Sequence, residues 1–437
     1  MSITIIIIIA TLYTFISKKL FGSYFNHLSI YAVSWAFICS NYELKLIRFV
    51  NITNEAWFII FLGSFFYFLG VLTYYFYKND PDKFKIIYKR ISINNNEIKI
   101  LYKFIVITAF LNLLISILNW KFLISKFGSI TNVFIQANKI YRMRIEGDLP
   151  EVIPYFYTLG YVSVFLSGIY AAYTNKLKII MLIAFISIVM KDVAGFGREG
   201  ILLALLVFIF SFLFTTKSLT GRKIFKFKEN KKNVIIILLF LILAITGANI
   251  VRGTRGVYER FKGTSNILTK STIADFVPPS LYFYFSSHIG VFSKYLENPT
   301  QNNVFGAQTF LPIHSILAKF ELLPKPSFYQ KGYFIPQWSN TGTYLREIYE
   351  DFGILGVFIV PYLLGLFITY LWYRYHKNPN LVNLVWLVYF YIVSTMTWLD
   401  MYTRSSKWFI GMIFTYFAVK YFEYLRNIIN KDVSKQN

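Results

Sequence analysis

NIVRGTRGVYERFKG (249–263) and WSNTGTYLREIYEDFGILG (338–356) bracket the one conspicuously polar stretch of this chain. Residues 249–356 hold seven of the twelve prolines, which break long regular elements, and a dense set of Tyr, Asn and Gln. Almost everything on either side is apolar enough for a bilayer. The contrast decides the fold class: an all-α polytopic membrane protein with one large extracytoplasmic loop.

Composition agrees. The 437 residues are 56% hydrophobic and 20% aromatic, with a mean hydropathy of +0.50. Soluble domains run at about 45–50% apolar, and the surplus here falls in blocks of about 17–22 residues, the length that crosses hydrocarbon. The net charge of +24 reads as Lys and Arg gathered in cytoplasmic loops and at anionic headgroups. No nucleic-acid-binding motif accompanies it, so nucleic acid is not an expected partner. The single cysteine, Cys39, lies in an apolar segment and allows neither an internal disulfide nor a cysteine metal site. MSITIIIIIATLYTFI (1–16) has no basic start and no small-residue cleavage site, and reads as a retained first span.

Eleven spans are expected, at 2–17, 28–47, 56–77, 101–120, 152–173, 178–191, 199–215, 233–250, 353–373, 381–399 and 407–424. Residues 1–250 carry helices 1–8, 251–352 the large loop, and 353–437 helices 9–11 with a cytoplasmic tail. Charge alternates along the connections. Lys18 and Lys19, the six basic residues of 78–100, Lys176 and Lys178, the seven of 216–232, Arg374 and Lys377, and the tail all fall on one side. The positive-inside rule makes that side cytoplasmic, with the N-terminus outside.

The outward connections still carry Arg142, Arg144, Arg198, Arg252, Arg255, Arg260, Arg346 and Arg404. Inside, Lys dominates; outside, Arg rivals it. Arg makes bidentate contacts with phosphate and carboxylate where Lys is a point charge, so the outer face is expected to handle an anion. The alternative is pairing with Glu146, Asp148, Glu199 and Glu259, or snorkelling to headgroups. Residues 121–151 are amphipathic in their first half and are expected along the outer interface or on the bundle rim.

Three short segments concentrate the expectation. In KDVAGFGREG (191–200), Arg198 heads a helix whose N-terminus favours an anion; an ordinary turn with a local ion pair is the other reading. Arg252 and Arg255 stand three apart just after a span, on one face if the helix continues. Arg404 lies in LDMYTRSSKW (399–408), where it either completes a ring of arginines or pairs with Asp400. The loop supplies protic groups: His288 and His314 as candidate bases, and Glu347 and Asp351, four apart on one helical face with Arg346 and Glu350 beside them. Tyr282, Tyr284, Tyr329, Tyr333, Trp338 and Trp372 offer flat faces for sugar stacking or for an interfacial belt. There is no GxxxxGK[ST], HExxH, Cys/His cluster, Asp-x-Asp pair or GxSxG. An enzyme of this kind is expected to need no metal or other cofactor and to work on an already activated leaving group.

GREGILLALLVFIF (197–210), VRGTRG (251–256), the long loop and NTGTYLREIYEDFGILGVFIVPYLLGL (340–366) together resemble the Wzy-type O-antigen and capsule repeat-unit polymerases. Arg198, Asn340, Thr343, Asp351, Phe352, Gly353, Gly356 and Gly365 carry the match, and Arg252 with Gly263 fits an R-x10-G spacing. The resemblance implies a membrane glycosyltransferase architecture of the GT-C-like polymerase and ligase type. It also implies an inverting, metal-independent transfer in the bacterial cytoplasmic membrane between two undecaprenyl-diphosphate-linked oligosaccharides, donor and acceptor. The expected roles are Asp351, Glu347, His288 and His314 for catalysis, Arg198, Arg252, Arg255 and Arg404 for the diphosphate, and Asn340, Thr343, Tyr333 and Trp338 for sugar. Membrane lipid and a chain-length regulator protein are the further implied partners. A lipid-linked oligosaccharide flippase and an O-antigen ligase are the alternatives; a flippase is expected to have short loops on both sides and internal duplication.

Overall fold

The computed structural model describes residues 3–80, 82, 84, 93–220, 231–254, 279–300, 304–327 and 330–436, with Arg252 described in its backbone alone. In chain order the main elements are α1 (Ile3–Phe21), α2 (His27–Glu43), α3 (Asn54–Lys78), α4 (Asn95–Phe127), α5 (Ile130–Ile135), α6 (Ala137–Glu146), α7 (Leu159–Thr174), α8 (Ile179–Ala194), α9 (Glu199–Phe214) and α10 (Lys231–Thr254). There follow α11 (Pro279–Ser286), α12 (His288–Glu297), α13 (Leu311–Lys319), a hairpin of β1 (Tyr333–Phe334) and β2 (Trp338–Ser339), α14 (Tyr344–Lys377), α15 (Leu381–Met396) and α16 (Ser406–Gln436). A helix occupies each of the apolar stretches read from the sequence. Five, Ile3–Phe21, Asn54–Lys78, Asn95–Phe127, Glu199–Lys217 and Tyr344–Lys377, are long and apolar enough to cross a membrane. In such a solvent the helix satisfies every backbone group internally, which is why long apolar runs take this form.

The chain divides into two compact units. The first comprises the described parts of 1–86, 257–377 and 390–406. Its centre is the pairing of α3 with α14, which approach until backbone meets backbone. A Cβ on Gly70 would lie 2.0 Å from the Tyr362 carbonyl oxygen, and one on Gly365 would lie 2.1 Å from that of Tyr67. Small residues permit such contact, and where apolar burial does not drive helices together it is close packing that does. Polar side chains add fixed points: Tyr31 stacks on Tyr67 at 4.0 Å, its hydroxyl meets that of Tyr344 at 3.1 Å, and Trp35 Nε1 donates to Thr397 Oγ1 at 3.0 Å.

The second unit comprises the described parts of 87–256, 378–389 and 407–437. Here α4 packs on α7 and α8, α7 on α9, and α8 on α10. The turn into α4 is capped twice over. Asn94 Oδ1 accepts from Glu97 N at 2.9 Å, Glu97 Oε2 accepts from Asn94 N at 3.0 Å, and Glu97 Oε1 also pairs with Arg426 at 2.9 Å. The region 121–151, expected along the outer interface or on the bundle rim, packs on the helix ends beside it. α4 runs on to Phe127, and α5 and α6 then fold over a core of their own, where Val133, Ala137, Ile140 and Leu149 pack on Leu123, Ala194 and Phe196.

Within each unit the helix ends fall into two groups. In the first, Phe21, His27, Phe84 and Trp372 meet at one end. Asn41, Thr53, Tyr282 and Ser293 bond at the other. In the second, Glu97 and Arg426 mark one end, and Glu151, Lys191, Asp192 and Lys407 the other.

Candidate functional site

α14 is two helices in one. Gly353, at φ 61° and ψ −153°, interrupts it, in a backbone region open essentially to glycine alone. The part before the break, 344–352, precedes the apolar span and presents Arg346, Glu347, Glu350 and Asp351 to the large-loop segments. All four are buried, and Glu347 is fully so. Their i, i+3 and i+4 spacing puts them around one short helix, and each finds a partner from elsewhere in the first unit.

Glu347 Oε1 pairs with Arg404 Nη1 at 2.9 Å, and its Oε2 accepts from Met401 N at 3.3 Å. The second arm of Arg404, Nη2, donates to Gln308 Oε1 at 2.9 Å. Burial pushes the Glu347 carboxyl above its ordinary range, opposed by the Arg404 and Arg346 guanidiniums. Asp351 accepts backbone N–H groups from both Gln308 (3.0 Å) and Thr309 (2.7 Å), so it pins that loop onto the helix. Thr403 Oγ1 donates to Thr309 O at 2.7 Å and closes the ring.

Arg346 is spent on main chain. Nη1 donates to Asn340 O and Nη2 to Lys331 O, both at 2.8 Å, while its guanidinium lies 5.2 Å from the Tyr295 ring and 5.6 Å from the Tyr333 ring. Glu350 has a lighter set of contacts. Its Oε2 accepts from Gln330 Nε2 at 3.2 Å. Burial, against the pull of Arg346, raises its carboxyl to about 7. That places it where a carboxyl both accepts and returns a proton near neutrality.

His288 stands at the start of α12, with Nδ1 3.1 Å from the Thr341 carbonyl oxygen. A carbonyl only accepts, so Nδ1 carries the proton and Nε2 presents its lone pair; Nε2 is buried with no hydrogen-bond partner. Burial lowers this imidazole to about 4. His314, on α13, adjoins Gly306, and the same glycine adjoins Phe352. Tyr333 has a buried hydroxyl with no hydrogen-bond partner among the described residues, as does Thr343. Trp338 covers Gly332 from the other arm of the hairpin and stays 39% exposed. Of the further aromatics, Tyr282 hydrogen-bonds Asn41 O and Trp372 Nε1 donates to Phe84 O, so both serve the packing of the unit.

The structure thus gathers Asp351, Glu347, His288, Arg404, Asn340, Thr343 and Tyr333 around one short helix, with His314 and Trp338 joined to it through Gly306 and the hairpin. Of the four arginines assigned to the diphosphate, Arg404 is the one that lies in this unit. Arg404 faces Glu347 and Gln308, because a buried guanidinium needs a counter-ion. Arg198 belongs to the second unit; the side chain of Arg252, together with Arg255 and Tyr329, lies outside the described residues.

At the α8–α9 turn the anion expected at the helix N-terminus is one of the chain's own. Asp192 Oδ2 accepts from Ile201 N at 2.9 Å, and Oδ1 pairs with Lys407 Nζ at 2.7 Å. A Cβ on Gly200 would lie 2.7 Å from both Asp192 carboxylate oxygens, so the glycine makes room for the cap. Gln308, Gln330 and Lys407 are the residues sequence reasoning passed over, and Glu350 it named beside Glu347 and Asp351 without a role of its own. Glu350 carried a signal in its spacing of four from Arg346; the others acquire their roles only through tertiary contact.

No family model, curated protein or solved structure matches the chain. The reading of its function rests on its own residues and on the motif resemblance.

Proposed function

We propose that this protein polymerises undecaprenyl-diphosphate-linked oligosaccharide repeat units into a surface polysaccharide, O-antigen or capsule. In this reading it crosses the bacterial cytoplasmic membrane eleven times, in the GT-C-like manner of polymerases and ligases, with its N-terminus and large loop outside. The observation that carries the proposal is Glu350. It is the carboxylate of the 344–352 cluster with a proton affinity near neutrality, while Glu347 and Asp351 are committed to Arg404 and to backbone N–H groups.

The transfer itself is an exchange at one carbon. The non-reducing-end hydroxyl of the acceptor forms a bond to the anomeric carbon of the donor as its proton passes to the Glu350 carboxylate. The bond from that carbon to the diphosphate oxygen breaks with inversion, and the diphosphate leaves with the electron pair. The motif resemblance, and not the described geometry, assigns Arg198, Arg252 and Arg255 to that growing charge. Glu347, Asp351 and Arg404 act as positioning residues that hold the helix and the 304–310 loop in register. Trp338 and Tyr333 supply faces for sugar.

Deletion of the gene, followed by electrophoresis of the surface polysaccharide, tests the reading. A ladder that collapses to a single capped repeat unit is the expected result. Loss of all surface glycan would point instead to a flippase or ligase and overturn it.

A further inference from the structure

The second unit holds a group of charges, partly to fully buried, at one end of its bundle. Glu151 Oε1 serves two cations at once: it pairs with Lys191 Nζ and sits 3.5 Å from Arg144 Nη1. Lys191 Nζ lies 4.3 Å over the Tyr157 ring. Lys407 pairs with Asp192 at 2.7 Å, and Glu199 acts on both Lys407 and Tyr157 through space. Between the two cations runs the turn Gly195-Phe196-Gly197. A Cβ on Gly195 would come 3.8 Å from Arg144 Cδ, and one on Gly197 would meet only Lys407 Nζ, at 3.9 Å.

Arg144 is under-used. Its side chain is 10% exposed, its single carboxylate contact is long, and both Nε and Nη2 are buried with no hydrogen-bond partner among the described residues. Those two nitrogens form the side edge of the guanidinium, the edge that binds two oxygens of one anion in parallel. Leaving such donors buried and unmet is costly, a cost that an arriving oxyanion removes. The neighbouring carboxylates do not fill the edge: Glu151 turns one oxygen to Lys191 and to Nη1, and Asp192 caps α9 and holds Lys407.

We propose that Arg144, with Lys191 and Lys407 beside it over the Gly195–Gly197 turn, forms a binding site for a phosphate-class oxyanion. The site belongs to the second unit, and the carboxylate cluster around Glu350 to the first. It stands on contacts within the second unit and is independent of the glycosyl-transfer reading. Two sources share the chemistry, a free phosphate or diphosphate and the phosphodiester of an anionic lipid headgroup.

The test uses the full chain in detergent, titrated separately with inorganic pyrophosphate and with detergent-dispersed phosphatidylglycerol, and read by tryptophan-monitored melting and by direct binding. Saturable binding of either probe is expected. Pyrophosphate binding that phosphatidylglycerol does not displace identifies a free anion; binding of phosphatidylglycerol alone identifies a headgroup. Arg144→Lys keeps the charge, removes the side edge, and is expected to weaken binding at least about tenfold. Arg142→Gln, a neighbouring exposed arginine, is expected to change nothing. If Arg144→Lys does not fold, Gly197→Leu, which fills the space beside Lys407, is read in its place with the same expected loss. Failure of both probes to saturate, wild-type affinity in the folded Arg144 variant, or an equal loss in Arg142→Gln overturns the site.

Discussion

Arg404 Nη1 and Glu347 Oε1 lie 2.9 Å apart across 57 residues of sequence, in a pocket where Glu347 is fully buried. The pair ties the segment after α15 to the helix before the Gly353 break. Removing one partner leaves the other charge buried alone, which costs about 3–5 kcal/mol. Arg404→Gln and Glu347→Gln should each lower the melting temperature in detergent sharply, and the double variant should lose much less than their sum. Strict additivity would show that the two side chains do not act as a pair.

Glu350 couples activity and stability to pH in opposite directions. Its carboxyl in the fold is raised to about 7, above the ordinary value of about 4.3. The folded state therefore binds this proton more tightly than the unfolded chain does. The stability it contributes is full below the ordinary value and is lost as pH rises through about 7. A base must be ionised, so the rate of ladder formation in isolated membranes should rise over the same interval. Glu350→Gln should abolish that rise and flatten the change in melting temperature between pH 5.5 and 8. A variant that keeps the wild-type pH–rate curve excludes Glu350 as the base.

His288 provides the control. Burial lowers its imidazole to about 4, so it stays neutral throughout the interval in which Glu350 titrates. His288→Gln should leave the position of the pH midpoint unchanged, whatever it does to the rate. A shifted midpoint would transfer the titration to the histidine.

Asp351 holds two backbone N–H groups with one carboxylate. Asparagine offers a single acceptor oxygen and no charge, so Asp351→Asn should cost about 1–3 kcal/mol. The loss should be local: amide exchange should quicken at Gln308 and Thr309 before it does so in α3. Uniform quickening along the chain would assign Asp351 to global stability instead.

Gly365 meets the backbone of Tyr67 at a distance no Cβ tolerates. Gly365→Ala must part α3 from α14, at a cost of about 1–3 kcal/mol or more. Gly197→Ala, whose nearest contact is the flexible end of Lys407, should be nearly silent in the same melting assay. Equal effects would mean that helix proximity does not set the penalty.

The helices were legible because a bilayer imposes a length: apolar runs at 56–77, 199–215 and 353–373 leave little choice of form. The 344–352 helix was legible too, since Glu347 and Asp351 recur at a helical interval. Partnerships were not. Arg404 reads as an anion binder or a partner of Asp400, and its contact with Glu347 appears only in the fold; the α9 N-terminus headed by Arg198 reads as favouring an anion, and that Asp192 caps it appears only there too. Eight arginines in outward loops look alike in sequence. Which guanidinium edge is left over depends on contacts among residues distant in the chain, such as the 40 residues between Lys191 and Glu151, and local spacing carries no record of them.

Gly353 has a mechanical consequence. A helix crossing a bilayer adjusts its tilt to the thickness of the lipid around it. An unbroken rod from Tyr344 to Lys377 would transmit every such adjustment to its own first two turns. The interruption at φ 61° separates the apolar shaft from the segment that carries Glu347, Glu350 and Asp351 and that Arg404, Gln308 and Gln330 hold. A change of tilt in the shaft need not be carried through such a break to Glu350, whose proton affinity depends on its surroundings.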